Sequence, residues 1–148
     1  MLAKYFLSLK FFLLDISWEY KLKEELIDKA LQMLHDKDVW TKFKSLNVFQ
    51  LRNYSFLENF LNLFFRIPTL LKLDLERCSN LIMLPNELEY IFFLKILNLK
   101  DCNRLRLFPT SIKSLLALKN LNIRRYSNLT LFPNELGNLT SMTTFDIS

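Results

Sequence analysis

The sequence has a single glycine in 148 residues. A GxxxxGK[ST] phosphate-binding loop needs two, so that route to nucleotide binding is excluded. There is one histidine, His35, and there are two cysteines, Cys78 and Cys102. Two cysteines do not make a disulfide framework, and two sulfurs with no companion histidine do not make a zinc site. His35, Asp36 and Asp38 lie together and read as a solvated helix end. No nucleophile, base and orienting group can be assembled around His35. Asp74, Asp101 and Asp146 are too scattered to act as a carboxylate pair. The expectation is a chain that is not an enzyme, with no catalytic residue, no cofactor and no metal.

Charge of one sign is not concentrated anywhere. The net charge is +5. Residues 1–66 carry ten Lys/Arg against eight Asp/Glu, and residues 67–148 carry ten against seven. Nucleic-acid binding usually shows a basic stripe, so no nucleic-acid partner is expected. Long apolar runs are also missing. MLAKYFLSLKFFLLDI resembles a signal peptide but is broken by Lys10, and Asp15 and Trp18 stand where small residues should mark a cleavage site. It is too short to span a bilayer. No membrane association is expected, and the location expected is cytoplasmic, a reducing compartment.

What the sequence does contain is one sentence repeated. Residues 67–90 read IPTLLKLDLERCSNLIMLPNELEY, residues 91–114 read IFFLKILNLKDCNRLRLFPTSIKS, and residues 115–138 read LLALKNLNIRRYSNLTLFPNELGN. A partial copy, LTSMTTFDIS, starts at Leu139. The same frame fits Leu46, Phe49, Leu51, Tyr54, Leu57, Phe60, Phe64 and Ile67, with Leu61 in place of the proline. Four full copies and a partial one therefore fill residues 46–148. Their 24-residue period is that of leucine-rich repeats.

Within each copy the pattern LxxLxLxxC puts Leu73 and Leu75, or Leu97 and Leu99, on one face of a short strand. Leu70, Leu94 and Leu118 turn inward just before it. Leu81/Leu105/Leu129 and Leu84/Phe108/Phe132 line the return path. Pro85, Pro109 and Pro133 follow, and proline offers no N–H to a ladder, so this path is not a strand. Leu88/Ile112/Leu136 and Ile91/Leu115/Leu139 close the turn. One copy alone cannot bury its apolar side, but stacked copies can, with their strands paired in a parallel sheet. The fold class expected is α/β: a solenoid with a short parallel concave sheet and an N-terminal amphipathic helix.

That helix belongs to residues 1–45, read as a helical capping segment. Trp18, Leu22, Leu26, Ala30 and Leu34 recur at helical spacing, with charges of both signs opposite, so the segment suits the open end of a solenoid better than a membrane. Before it, Leu9, Phe12 and Leu14 share the spacing of Leu94, Leu97 and Leu99 and suggest a degenerate first strand.

The blocks LNLKDCNRLRLFPTSI, YSNLTLFPNELGNLTSMTTFDIS and LERCSNLIMLPNEL resemble leucine-rich repeats of the plant intracellular disease-resistance type, and especially the large moss families of that kind. The marks are the LPxxL return segment and the cysteine at the ninth position. Tyr54 and Tyr126 depart from that cysteine. The resemblance implies intracellular protein recognition in defence signalling.

If the solenoid binds a protein, its concave sheet positions do so. The candidates are Arg52, Lys72, Asp74, Glu76, Arg77, Asn98, Lys100, Asp101, Asn122, Arg124 and Arg125. They fall into columns, Arg52–Glu76–Lys100–Arg124 and Asn53–Arg77–Asp101–Arg125. Strands about 4.8 Å apart let opposite charges meet laterally. Arg124 and Arg125, with Arg104 and Arg106 on the preceding turn, form a basic corner suited to an acidic partner. Cys78 and Cys102 read as stacked, buried thiols. The sequons at Asn53, Asn128 and Asn138 carry little weight without a secretory signal. The last copy stops in mid-strand, which predicts exposure of Leu121 and Ile123 and self-association through an uncapped C-terminal edge. Two functions remain open here: a protein-interaction module, and a degenerate or truncated remnant with no selective partner.

Overall fold

In the computed structural model, the described residues are 11–15, 47–53, 67–125 and 132–147. The predicted N-terminal helix, and Tyr54, Tyr126 and Leu129, lie outside them. Six strands form one parallel sheet in strict chain order: β1 Phe11–Asp15, β2 Val48–Arg52, β3 Lys72–Asp74, β4 Ile96–Asn98, β5 Asn120–Asn122 and β6 Thr144–Asp146.

The register repeats without a slip. Leu73 pairs with Leu97, Leu97 with Leu121, and Leu121 with Phe145. On the other side Phe49 pairs with Leu73, and Phe12 with Phe49. The degenerate first strand suggested by Phe12 and Leu14 is therefore present as β1. It lies in frame laterally although the connection from β1 to β2 breaks the 24-residue spacing.

β3 to β5 are three residues long, each with one inward leucine flanked by turns, whereas β2 has five residues with Phe49 and Leu51 both buried. Hydrogen bonding nevertheless runs past both ends. Before the strands, the N–H of Lys119 donates to the carbonyl of Lys95; after them, Leu75 donates to Asn98 and Leu99 to Asn122. Among the described residues, three return paths are 3-10 helices: Asn86–Ile91, Thr110–Ser114 and Asn134–Asn138. Pro85, Pro109 and Pro133 stand just before these helices with extended backbone, where a missing N–H leaves no bond unmade.

Inward leucines make one continuous core from Phe49 to Leu139. Leu70, Leu94 and Leu118 are fully buried, as are Leu73, Leu97 and Leu121. Each such leucine contributes about 1.5–3 kcal/mol relative to exposure. Two expectations fail at the C-terminal side. Leu121 and Ile123 are buried, because one further strand suffices to cover them. Phe132 is exposed, although Leu84 and Phe108 at the same repeat position are buried. A residue there is covered by the turn that follows, and Phe132 instead meets Phe145 edge to face at 5.6 Å. Phe145 and Ile147 are exposed with it.

The cysteine at the ninth position couples neighbouring turns. The carbonyl of Leu75 accepts from the N–H of Cys78 in its own turn and from Sγ of Cys102 in the next, at 3.2 and 3.1 Å. Sγ of Cys78 donates likewise to the carbonyl of Leu51. Both thiols are free and buried, as the sequence predicted. Burial pushes the pKa of Cys102 upward, with the neighbouring Cys78 adding to it.

Candidate functional site

The side chains that alternate with the core leucines stand on the open face of the sheet. Register defines the middle column as Gln50, Asp74, Asn98, Asn122 and Asp146. Asp74, Asn98 and Asn122 end their strands with a specific turn. Oδ1 of Asp74 accepts from the N–H of Glu76, Oδ1 of Asn98 from that of Lys100, and Oδ1 of Asn122 from that of Arg124. A short carboxylate or amide that bonds the backbone two residues on is an Asx turn. The sequence reading treated these three residues as partner contacts and missed this task. The signal was there: Asp or Asn stands four residues before Cys78, Cys102 and Tyr126.

Asp74 is not the exposed position expected of it. Its side chain is 1% exposed. Oδ2 accepts from Nη2 of Arg52 at 2.6 Å, from Nε of Arg52 at 3.2 Å and from Nε2 of Gln50 at 3.1 Å, and Oδ1 accepts from Nδ2 of Asn98 at 2.8 Å. Gln50 is buried with it. Burial alone would raise the pKa of Asp74. The Arg52 hydrogen bond and charge, the Glu76 N–H and Gln50 outweigh that and hold it below the ordinary carboxylate value. Asp74 is thus a fastening between the second and fourth strands, with no lone pair to spare.

In the next column the signs alternate from Arg52 through Glu76 to Lys100, and these charges meet as the sequence predicted; Arg124 follows with the same sign as Lys100. Glu76 lies between Arg52 at 3.7 Å and Lys100 at 3.3 Å. One residue further, Asp101 lies between Arg77 at 3.5 Å and Arg125 at 3.7 Å. Lys72 reaches Asp74 at 3.8 Å. The exposed pairs contribute little stability, about 0–1 kcal/mol each. They fix a pattern of alternating charge instead.

The expected free basic corner is not formed. Arg124 lies 3.3 Å from Asp146, Arg125 pairs with Asp101, and Nη1 of Arg104 donates to Oδ1 of Asn80 at 3.1 Å. A carboxylate from an adjacent strand engages Arg124 and another, shared with Arg77, engages Arg125, while Arg104 is held by the neutral amide of Asn80.

The outermost column has an unusual backbone. Asn53, Arg77, Asp101 and Arg125 all have φ between 58° and 61°. Glycine or asparagine suits this left-handed region, and for other residues it costs about 1–2 kcal/mol. Each repeat needs the reversal to leave the strand after the Asx turn, and the chain has almost no glycine to spend on it. Nothing in the residue types at Arg77 and Arg125 announced it.

Among the described residues, no group of three His, Cys, Asp or Glu could hold a metal ion. Among them, no helix is long and apolar enough to cross a membrane.

No family model matches the chain, and no curated protein sequence matches it. Solved structures do. The leucine-rich-repeat domain of the type III effector XopL is 30% identical, with a TM-score of 0.59 over 70% of this chain and 35% of that one. A leucine-rich-repeat protein of Leptospira interrogans is 30% identical, with a TM-score of 0.48 over 72% of this chain and 32% of that one. The chain therefore spans about a third of each of those proteins. Its repeat, sheet and core make it a leucine-rich-repeat solenoid.

Proposed function

We propose that this leucine-rich-repeat solenoid is a protein–protein interaction module that reads a partner through the concave face of its sheet. The observation that carries the reading is the ordered charge pattern of that face. Arg52, Glu76, Lys100 and Arg124, with Arg77, Asp101 and Arg125 beside them, are held at strand spacing by a rigid core. Complementary charge sets register and partner choice more than raw affinity. Lys72, Asn98 and Asn122 complete the surface, and Asp74 supports it from beneath.

The setting we propose is intracellular recognition of the defence type. The LPxxL segments and the ninth-position cysteines support it, as do two thiols that stay free although they stack on adjacent turns. Association of two copies through Phe132, Phe145 and Ile147 belongs to the same proposal, and Phe145→Asp should abolish any dimer seen in sedimentation.

The test is a binding titration with a partner obtained by affinity selection from the source cells. Lys100→Glu with Arg124→Glu should weaken binding about tenfold or more, the scale of a lost hot spot. Glu87→Lys with Lys113→Glu, on the 3-10 helices, should leave it unchanged. If the two pairs behave alike, the face has no selective partner and the chain is a structural remnant of a repeat array.

A further inference from the structure

The rim of the solenoid where the strands begin carries apolar side chains that the core does not use. Tyr90, Phe92 and Phe93 stand where the helix Asn86–Ile91 turns toward β4, and all three are exposed. The two phenyl rings touch, with centroids 4.5 Å apart. Leu116 occupies the position of Phe92 one repeat later and is 57% exposed. Ile91 and Leu115, their immediate neighbours in sequence, are buried. Single exposed apolar residues are ordinary. A cluster of four, three of them aromatic, has the character of an interaction site.

Charge gives the cluster a preference. Lys95 and Lys119 lie on the same rim, just before β4 and β5, on backbones joined by a 2.9 Å hydrogen bond. Both are exposed, and among the described residues neither has an ion pair. On the sheet face the carboxylates of Asp74, Glu76, Asp101 and Asp146 are already engaged. The carboxylates with no ion pair among the described residues, Glu87, Glu89 and Glu135, sit on the 3-10 helices. Uncompensated positive charge therefore lies beside the exposed rings, while behind them the three glutamates share the 3-10 helices with one lysine, Lys113.

We propose that this rim binds an acidic peptide segment of a partner protein. Large apolar side chains of the segment would seat against Phe92, Phe93 and Leu116, and its carboxylates would meet Lys95 and Lys119. A peptide can place its charges in register with the two lysines and away from Glu89. An anionic bilayer presents one sign everywhere and would press against Glu89 as well. The rim is separate from the sheet face, so this inference stands whether or not the concave reading does.

The test begins with a displayed library of random peptides selected against the full chain. The selected peptides should be acidic and carry several large apolar residues. Titrated as synthetic peptides, they should bind Phe92→Ser with Phe93→Ser about tenfold more weakly or worse, as for loss of a buried aromatic anchor. Lys95→Glu with Lys119→Glu should weaken binding comparably, and most at low salt, where surface charges are least screened. Lys100→Glu with Arg124→Glu should leave binding of these peptides unchanged. The substituted side chains are exposed except that of Lys100, which is half-buried, and unchanged thermal midpoints will confirm that each variant folds. The proposal is overturned if the selected peptides are not acidic, or if they bind the rim variants as well as the parent. It is also overturned if the chain pellets with phosphatidylserine vesicles while the acidic peptides fail to bind, or if the rim substitutions act only by dissociating a dimer.

Discussion

Arg52 donates to the carboxylate of Asp74 at 2.6 Å from the neighbouring strand, and this contact sets the character of the whole sheet face. Asp74 also takes Gln50 from the same side and Asn98 from the other. Three turns of the solenoid are tied by one buried carboxylate. Removing it takes the shortest contact from Arg52, which keeps Glu76 at 3.7 Å, and the acceptor at 3.1 Å from Gln50 and at 2.8 Å from Asn98. Asp74→Ala should destabilise the fold by about 2–4 kcal/mol, the range for breaking a largely buried, hydrogen-bonded charge. Asp74→Asn keeps an acceptor for the Glu76 N–H and should cost less. Urea denaturation of both variants measures the difference; equal losses would assign the effect to the lost carboxylate charge, and a loss in Asp74→Ala alone would assign it to the turn.

The same carboxylate predicts an acid limb to stability. Its folded pKa is depressed below the unfolded value of about 4. Its stabilisation is therefore complete above that value and disappears as pH falls through the folded pKa. Stability measured from pH 6 downward should fall below about pH 4. In Asp74→Asn this part of the slope should be missing. An identical slope in the variant would place the effect on other carboxylates.

Cys102 joins adjacent turns through the carbonyl of Leu75, and burial keeps its thiol protonated. The thiolate is the reactive form. Both cysteines should therefore resist a thiol reagent in the folded protein and react at once in denaturant. Cys102→Ala should cost about 1–2 kcal/mol through the lost contact and the small cavity. Fast labelling of the folded chain would contradict the burial described here.

Arg77 and Arg125 hold left-handed backbone that suits glycine or asparagine. Arg125→Asn should stabilise the fold by about 0.5–1 kcal/mol, because relief of backbone strain exceeds the worth of an exposed ion pair. The neighbouring Arg124→Asn, with no such strain, should give no gain. A shift in thermal midpoint of the predicted sign at residue 125 only would confirm the distinction.

The repeat made most of this fold legible before any coordinates. Inward positions such as Leu73, Leu97 and Leu121 announce themselves by a period and a residue type, because burial tolerates little else. Phe12 and Leu14 carried enough of the pattern to identify β1. The face of the sheet was harder to read. Asp74 looked exposed because alternation places it outward, and only the side chains of adjacent strands reveal that Arg52, Gln50 and Asn98 cover it. Arg124 read as part of a basic corner for the same reason: its partner Asp146 lies diagonally across the adjacent strand, whereas the column had already set Arg125 beside Asp101. Phe132 shows the reverse case, since its repeat position is apolar but its burial depends on the turn that follows. The strained backbone at Arg77 and Arg125 left no trace in residue type.

The most direct test of the interaction reading locates a partner on the surface. The side-chain amides of Asn98, Asn120 and Asn122 stand on or beside the sheet face, and those of Asn86, Asn134 and Asn138 on the 3-10 helices. Their NH2 signals in a nitrogen–proton correlation spectrum can be followed as an affinity-selected partner is added. The concave reading predicts shifts at Asn120 and Asn122, with those on the helices unmoved. Shifts confined to Asn86, Asn134 and Asn138 would contradict it.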